Sequence, residues 1–448
     1  MQELSPEGAL RCTRDEKIVP SETDKIVGEP VYCGRVEPLE TTGEFWSPDN
    51  DARRIEGTLT WEPGSRARLT LRSRVIDELA SPVEFTENGF SMTVSGDPAR
   101  VVADGVPRVL LGDTEAGAVT CVDSYLQHLP RNLFDFETPP LQQVWDPYTL
   151  IVGAHLPAGH ATKLDAVRFI LDSPGWWTQL PVVGSAVGDA GEVTCERTED
   201  GLTWLEFRPT SPTVFRSAQR VVYSMIALVQ LAVDASLTPL RVQVREPGHI
   251  TWLEVKTRDL DPSKTSWPDS HNLLSPSLLT LERIARWLAI EKTMDGLSSA
   301  VAEPVTGTAI QVQALTACSL IEGIHKRIVG TDCHYAVRAR ELQETAEGIA
   351  PGVTEPVVDW HKLVKQVRNN LAHHETGLSF EQHFLDCMIA ESSAIWVMRL
   401  CLLSHAGFTD QEIADALSDH QRYEFYRENL KMHVKERNDL TVSTSGSP

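Results

Sequence analysis

The feature that most constrains this chain is a change of hydrophobic period near residues 259–275. Before it, short segments alternate apolar with polar and are broken by Gly, Pro and Asp: 57–61, 67–71, 118–122, 148–152, 166–170 and 202–207. Period 2 is the mark of half-buried antiparallel strands. One exception, 217–235, reads as a helix. The stretch 259–275 (DLDPSKTSWPDSHNLLS) is rich in Pro, Asp and Ser and reads as a linker. Beyond it Ile310, Ala314, Ala317, Ile321, Ile324 and Ile328 step by fours and threes, one stripe of a long amphipathic helix. Trp360, Val364, Val367 and Leu371 repeat the pattern in a shorter helix that starts near Asp359. Ser379 with Gln382 and Thr409 with Glu412 have the spacing of capping boxes, Phe408 and Ile413 that of a hydrophobic staple, and Gly407 stands where a helix would end. The fold class is therefore α+β: a β-rich domain over 1–268, then an all-α bundle over 269–430. Residues 431–448 carry no clear apolar period and are expected to be a disordered tail.

Two domains also suit a length of 448 residues, since single cores rarely grow past about 250–300. The formal net charge is −22. Divided at residue 268, the chain has 25 basic against 39 acidic residues before and 16 against 24 after, net −14 and −8. Neither half has the bulk charge of a general nucleic-acid binder, so any RNA partner must be gripped by a local cluster. The apolar run 221–233 is too short to span a membrane, and the first residues have no apolar core of a signal peptide. A cytoplasmic protein without a membrane partner is expected. The eight cysteines are scattered with no C-x2-C pair, so reduced thiols are expected and no metal or cofactor is assigned.

The signatures of P-loop, dinucleotide-binding, serine-hydrolase and zinc-protease sites are missing from the sequence. What stands out is 367–375, VRNNLAHHE. Asn369 and His373 are four apart and share a helix face, with Arg368 and Asn370 flanking it. His361, Lys362, Lys365 and His374 join them, with no acid between Asp359 and Glu375. This is a concentrated cationic patch in an acidic chain. Arg327…His334 and Arg399…His405 have related spacings, but the first crosses Gly330 and the second ends a very apolar helix.

Arg368-Asn369-x-x-x-His373 resembles the R-x4-6-H motif of HEPN domains, small helical bundles, and specifically of the ApeA-like proteins of bacterial anti-phage defence. Those proteins place a β-rich domain before a C-terminal HEPN domain. Here 43–46 (GEFW), Pro48, 57–59, 69–71, 109–112 and 118–121 look similar to that N-terminal domain. The resemblance implies a metal-independent endoribonuclease that cleaves transfer RNA or other cellular RNA in abortive infection. It also implies a two-fold homodimer through the HEPN part and a β-rich domain that restrains the enzyme or senses a phage-derived trigger.

The residue types suit that chemistry. RNA cleavage without a metal needs a base for the 2′-OH, an acid for the 5′ oxygen and positive charge on the phosphorane. A histidine serves as acid or base near neutral pH, and Arg368 offers a planar, permanent cation. Asn369 would orient His373 or hold a phosphate oxygen, Lys362, Lys365 and His374 would contact RNA, and Glu322 is a candidate support. One His373 cannot be acid and base at once, so a second copy of the chain or His374 must supply the other group. Plainer readings stay open: Arg368 pairing with a helix acid, His373 capping its helix, Glu322 in an ion-pair cluster with His325 and Lys326. The HEPN part would then be a silent module for dimerisation or for binding a nucleotide or protein. A toxin held by an antitoxin is a third reading.

Overall fold

The computed structural model describes residues 36–75, 83–85, 92–94, 106–127, 143–171, 180, 184–199, 201–264, 272–303, 307–373 and 378–445. The first strands are β1 (Leu39–Ser47), β2 (Asn50–Trp61), β3 (Arg68–Leu71), β4 (Val83–Phe85), β5 (Met92–Val94), β6 (Arg108–Thr114), β7 (Gly117–Leu126) and β8 (Gln143–Val152). The pair β4–β5 stands apart. The other six close into an antiparallel ring in the order β8-β3-β2-β1-β6-β7, with β7 returning to β8. Alternation fills this barrel: Phe45, Leu59, Trp61, Leu69, Leu71, Leu110 and Trp145 are at most 1% exposed. Phe45 lies opposite Gly112 in the β1–β6 register, and a Cβ on Gly112 would come within 2.5 Å of the Phe45 ring. Glycine is what lets the ring fill that end of the barrel.

β8 belongs to two sheets. Gln143–Trp145 pairs with β3, whereas residues 149–152 also pair with the strand that opens the second sheet. The later strands are β9 (Lys163–Leu164), β10 (Ala166–Leu171), β11 (Gly184–Gly188), β12 (Gly191–Arg197), β13 (Thr203–Pro209), β14 (Thr213–Val214), β15 (Pro239–Arg245) and β16 (Leu253–Thr257), and the second sheet takes all of them except β9 and β14. Its order from β8 outward is β16-β15-β10-β13-β12-β11, with β9 and β14 paired aside.

The helix expected over 217–235 is α1 (Phe215–Val233). From Ser224 to Val233 every residue is buried, so α1 is a shared core element and not a surface helix. The remaining helices are α2 (Leu281–Met294), α3 (Leu297–Ala302), α4 (Ile310–Ile328), α5 (Tyr335–Ile349), α6 (Trp360–His373), α7 (Phe380–Ala406), α8 (Asp410–Ser418) and α9 (Gln421–Ser445). Trp287 of α2 donates from Nε1 to the Ser224 carbonyl at 2.8 Å, which stitches the bundle to α1. Both capping boxes are formed and Gly407 ends α7 in the left-handed region. Cys33–Pro448 form one compact unit.

One expectation differs from this structure. The tail expected to be disordered from residue 431 is helical to Ser445: Leu430 and Val434 are buried, Lys431 pairs with Glu428, and Arg437 pairs with Asp386 of α7. These anchors are spread along a mostly charged helix, so no stripe is visible in sequence. Leu320, Trp396, Met398 and Leu402, apolar residues outside the main stripes, are buried within the chain. Helix α7 is long and apolar enough to cross a membrane, and 78% of its apolar window is buried inside the protein, as in a central bundle helix.

Candidate functional site on helix α6

Asp359 adopts φ 54° just ahead of α6 and receives Lys362 Nζ at 2.8 Å. That hydrogen bond and charge hold the Asp359 carboxyl below its usual range. One face of α6 then enters the bundle: Trp360, Leu363, Val364 and Val367 are buried, and Trp360 Nε1 donates to Ser393 Oγ of α7 at 2.7 Å. The opposite face follows from the same period. Lys362, Lys365 and His373 are exposed and Asn369 partly so, with His373 the last helical residue. The 3.6-residue repeat therefore sorts α6 into a core face and a polar, cationic face.

Arg368 lies at the border between those faces. Its side chain is 34% exposed, with Nη2 3.3 Å from Glu322 Oε2 of α4. The guanidinium carbon lies 5.0 Å from the centre of the Tyr335 ring, the first residue of α5. Tyr335 is fixed in turn, its hydroxyl donating to the Cys318 carbonyl at 2.7 Å. Burial pushes the Cys318 thiol up to about 12 and the Tyr335 hydroxyl still higher, so both stay protonated at neutral pH. Carboxylate and ring together restrict the fork, while about a third of the side chain stays exposed to solvent.

Residues assigned from sequence thus fall into three groups. Arg368 and Glu322 meet, although they are 46 positions apart. Lys362, Lys365, Asn369 and His373 share the outer face of α6. His374 lies outside the described residues. Glu322 turns to Arg368, whereas His325 is buried and meets Glu341, so the ion-pair cluster of Glu322 with His325 and Lys326 is not what forms. Tyr335 escaped sequence reasoning. Its one signal is an aromatic residue opening a helix after the Gly330 turn, which says nothing of a partner 33 residues on.

The alternative Arg–His spacings are used differently. Arg399 is buried in an ion pair with Asp234, the residue that ends α1. Arg327 donates from Nε to the Thr293 carbonyl at 2.8 Å, and His334 is the N-cap of α5.

Residues 40–201 match a family model described as ApeA N-terminal domain 1. The match ends before β13, so it covers the barrel and the first strands beyond it. The segments whose resemblance was noted in the sequence lie on β1, β2, β3, β6 and β7, all barrel strands, with Pro48 in the turn between β1 and β2. Residues 40–201 are thus similar to the N-terminal domain of ApeA proteins, which points to the class of anti-phage defence proteins. Neither a curated protein nor a solved structure matches the chain.

Proposed function

We propose that this ApeA-like protein is a metal-independent endoribonuclease of the HEPN type, cleaving transfer RNA or other cellular RNA in abortive infection. The observation that carries the proposal is Arg368 between Glu322 and Tyr335, on the helix whose outer face bears Asn369 and His373. In this reading Arg368 contacts the non-bridging oxygens and the negative charge that develops there. His373 transfers a proton, and Asn369, one turn earlier, orients it or holds a phosphate oxygen. Lys362, Lys365 and His374 guide the backbone of the RNA.

A second proton-transfer group comes from a second copy of the chain. Phe380 and Phe384, 71% and 39% exposed and stacked at 6.3 Å at the start of α7, supply an exposed apolar surface on the same half of the chain. If the site is shared, mixing Arg368→Ala and His373→Ala chains restores part of the activity.

The alternative, a silent binding or dimerisation module, draws support from the Glu322 pair, which offsets the Arg368 charge. Incubating the full-length protein with total cellular RNA in EDTA separates the two. Cleavage that persists in chelator and is lost in Arg368→Lys supports the nuclease. No cleavage under any condition, or cleavage restored only by Mg²⁺, overturns it.

A further inference from the structure

Three side chains with metal-ligand chemistry converge where α4 ends and α5 begins. His325, Cys333 and Glu341 each offer one donor atom, and the three donors lie within 4.8 Å of one another. Their spacing in sequence, eight residues and eight again, matches no familiar ligand pattern, which is why the sequence gives no hint of it. His325 is fully buried and its Nε2 lies 2.6 Å from Glu341 Oε2. Its other nitrogen, Nδ1, is buried without a hydrogen-bond partner among the described residues, so the ring's polar contact is on the Glu341 side. Cys333 is partly exposed, in the connection that turns at Gly330 with φ 78°. That connection is braced by Arg338, which donates from Nε to the Cys333 carbonyl at 2.8 Å and pairs with Asp332.

We propose that His325, Cys333 and Glu341 bind one divalent cation of the zinc class, with solvent as the fourth ligand. Imidazole, thiolate and carboxylate together are a donor set for a borderline-soft ion, and a poor one for Mg²⁺ or Ca²⁺, which take oxygen. Bonds of about 2.0–2.3 Å in a tetrahedron place donors roughly 3.3–3.8 Å apart, inside the spread seen here. The His325–Glu341 contact is shorter than that, so it opens by about 1 Å as the ion enters between them, the ring proton shifting to Nδ1 and the Cys333 thiol proton leaving to solvent. Exposure of Glu341 and Cys333 gives the ion a path and leaves room for a water. The ligands also flank the groups that hold Arg368: Glu322 is three residues before His325 on α4, and Tyr335 two residues after Cys333. The cation would pin the α4–α5 corner, and its binding does not depend on the ribonuclease reading.

The test titrates Co²⁺ into the full-length, chelator-treated protein. One equivalent per chain should bind with a thiolate-to-cobalt absorption band in the near ultraviolet, displaced by Zn²⁺ and indifferent to Mg²⁺. Cys333→Ser should remove the band. Glu341→Gln keeps an oxygen for the His325 N–H, so the corner stays folded while affinity falls at least about ten-fold, the lower end of what weakened ligand support costs. The proposal is overturned if uptake is not stoichiometric, if the band survives Cys333→Ser, or if Glu341→Gln binds as the wild type does. A chelator effect on RNA cleavage that Zn²⁺ reverses, Mg²⁺ does not and Cys333→Ser abolishes would belong to this corner and not to Arg368 and His373.

Discussion

Helices α6 and α7 both carry an arginine followed within six residues by a histidine, and the fold treats the two pairs in opposite ways. Arg368 is partly exposed on a helix with one buried face, between a half-exposed carboxylate and a ring. Arg399 lies on a helix buried nearly all round, against Asp234, and Arg422 also reaches that carboxylate at 3.2 Å. The motif alone does not distinguish them. Amphipathicity does: α6 sorts polar from apolar residues by face, and α7 has too few polar positions to own a wet face. A buried arginine is committed to its partner, because leaving either charge unpaired in the core is costly. An arginine at a helix border can leave a carboxylate for a phosphate.

The sharpest way to break this contrast is to remove one member of each pair. On the nuclease reading His373→Ala should lower RNA cleavage by about 10²–10⁴-fold, the usual worth of a proton-transfer group. Its melting temperature should stay within a few degrees, since an exposed residue at a helix end supports little core. Arg399→Ala should do the reverse. It leaves the buried Asp234 carboxylate with Arg422 as its remaining arginine and should lower unfolding stability by up to about 3 kcal/mol, read from denaturant titration. Cleavage by the folded fraction should be unchanged. Normal cleavage in His373→Ala together with its loss in a well-folded Arg399→Ala would exchange the roles of the two helices.

The same contrast shows what the sequence could disclose. Period and caps place α6 and α7 almost to the residue, because Trp360, Val364 and Val367 or Ser379 and Gln382 act over one or two turns. The barrel strands are legible by alternation for the same local reason. Barrel closure is not, since it depends on β8 meeting both β3 and β7 across long intervening segments. The setting of Arg368 is hidden likewise: Glu322 and Tyr335 come from two other helices, and only packing brings them to α6. Helix α9 is illegible past residue 430 because its anchors, Val434 and Arg437, answer to α7 and not to a stripe of their own.

A milder test uses protons. Burial lowers the His405 pKa below its ordinary value of 6.5, and the nearby Arg286 adds to the effect. The unfolded chain therefore takes up a proton, as pH falls through about 6.5, that the folded chain resists. Stability from this group is untouched above that pH and declines below it. His405→Gln should remove that acid-side decline, measured as melting temperature between pH 7.5 and 5.5, and should leave RNA cleavage at neutral pH as in the wild type. A slope identical to that of the wild type would show that His405 is not part of the buried side of the contrast.

The smallest effect expected is on the outer face of α6, where Lys362 and Lys365 stand in solvent. Lys362 already has Asp359 as a partner, and the chain as a whole is strongly acidic. RNA should therefore be held through few phosphates. About three would give a slope near −2 for log affinity against log salt on single strands. Replacing Lys362 and Lys365 by Glu should flatten that slope by about 0.7 for each phosphate no longer neutralised. Binding should weaken evenly across sequences, and the cleavage position should stay, since phosphates position the strand without reading bases. The fold should not change, because neither side chain reaches the core. A wild-type slope several times steeper, unaltered by both substitutions, would move the RNA off α6 to a basic surface elsewhere. The exposed pair of helix faces would then differ in burial alone and not in function.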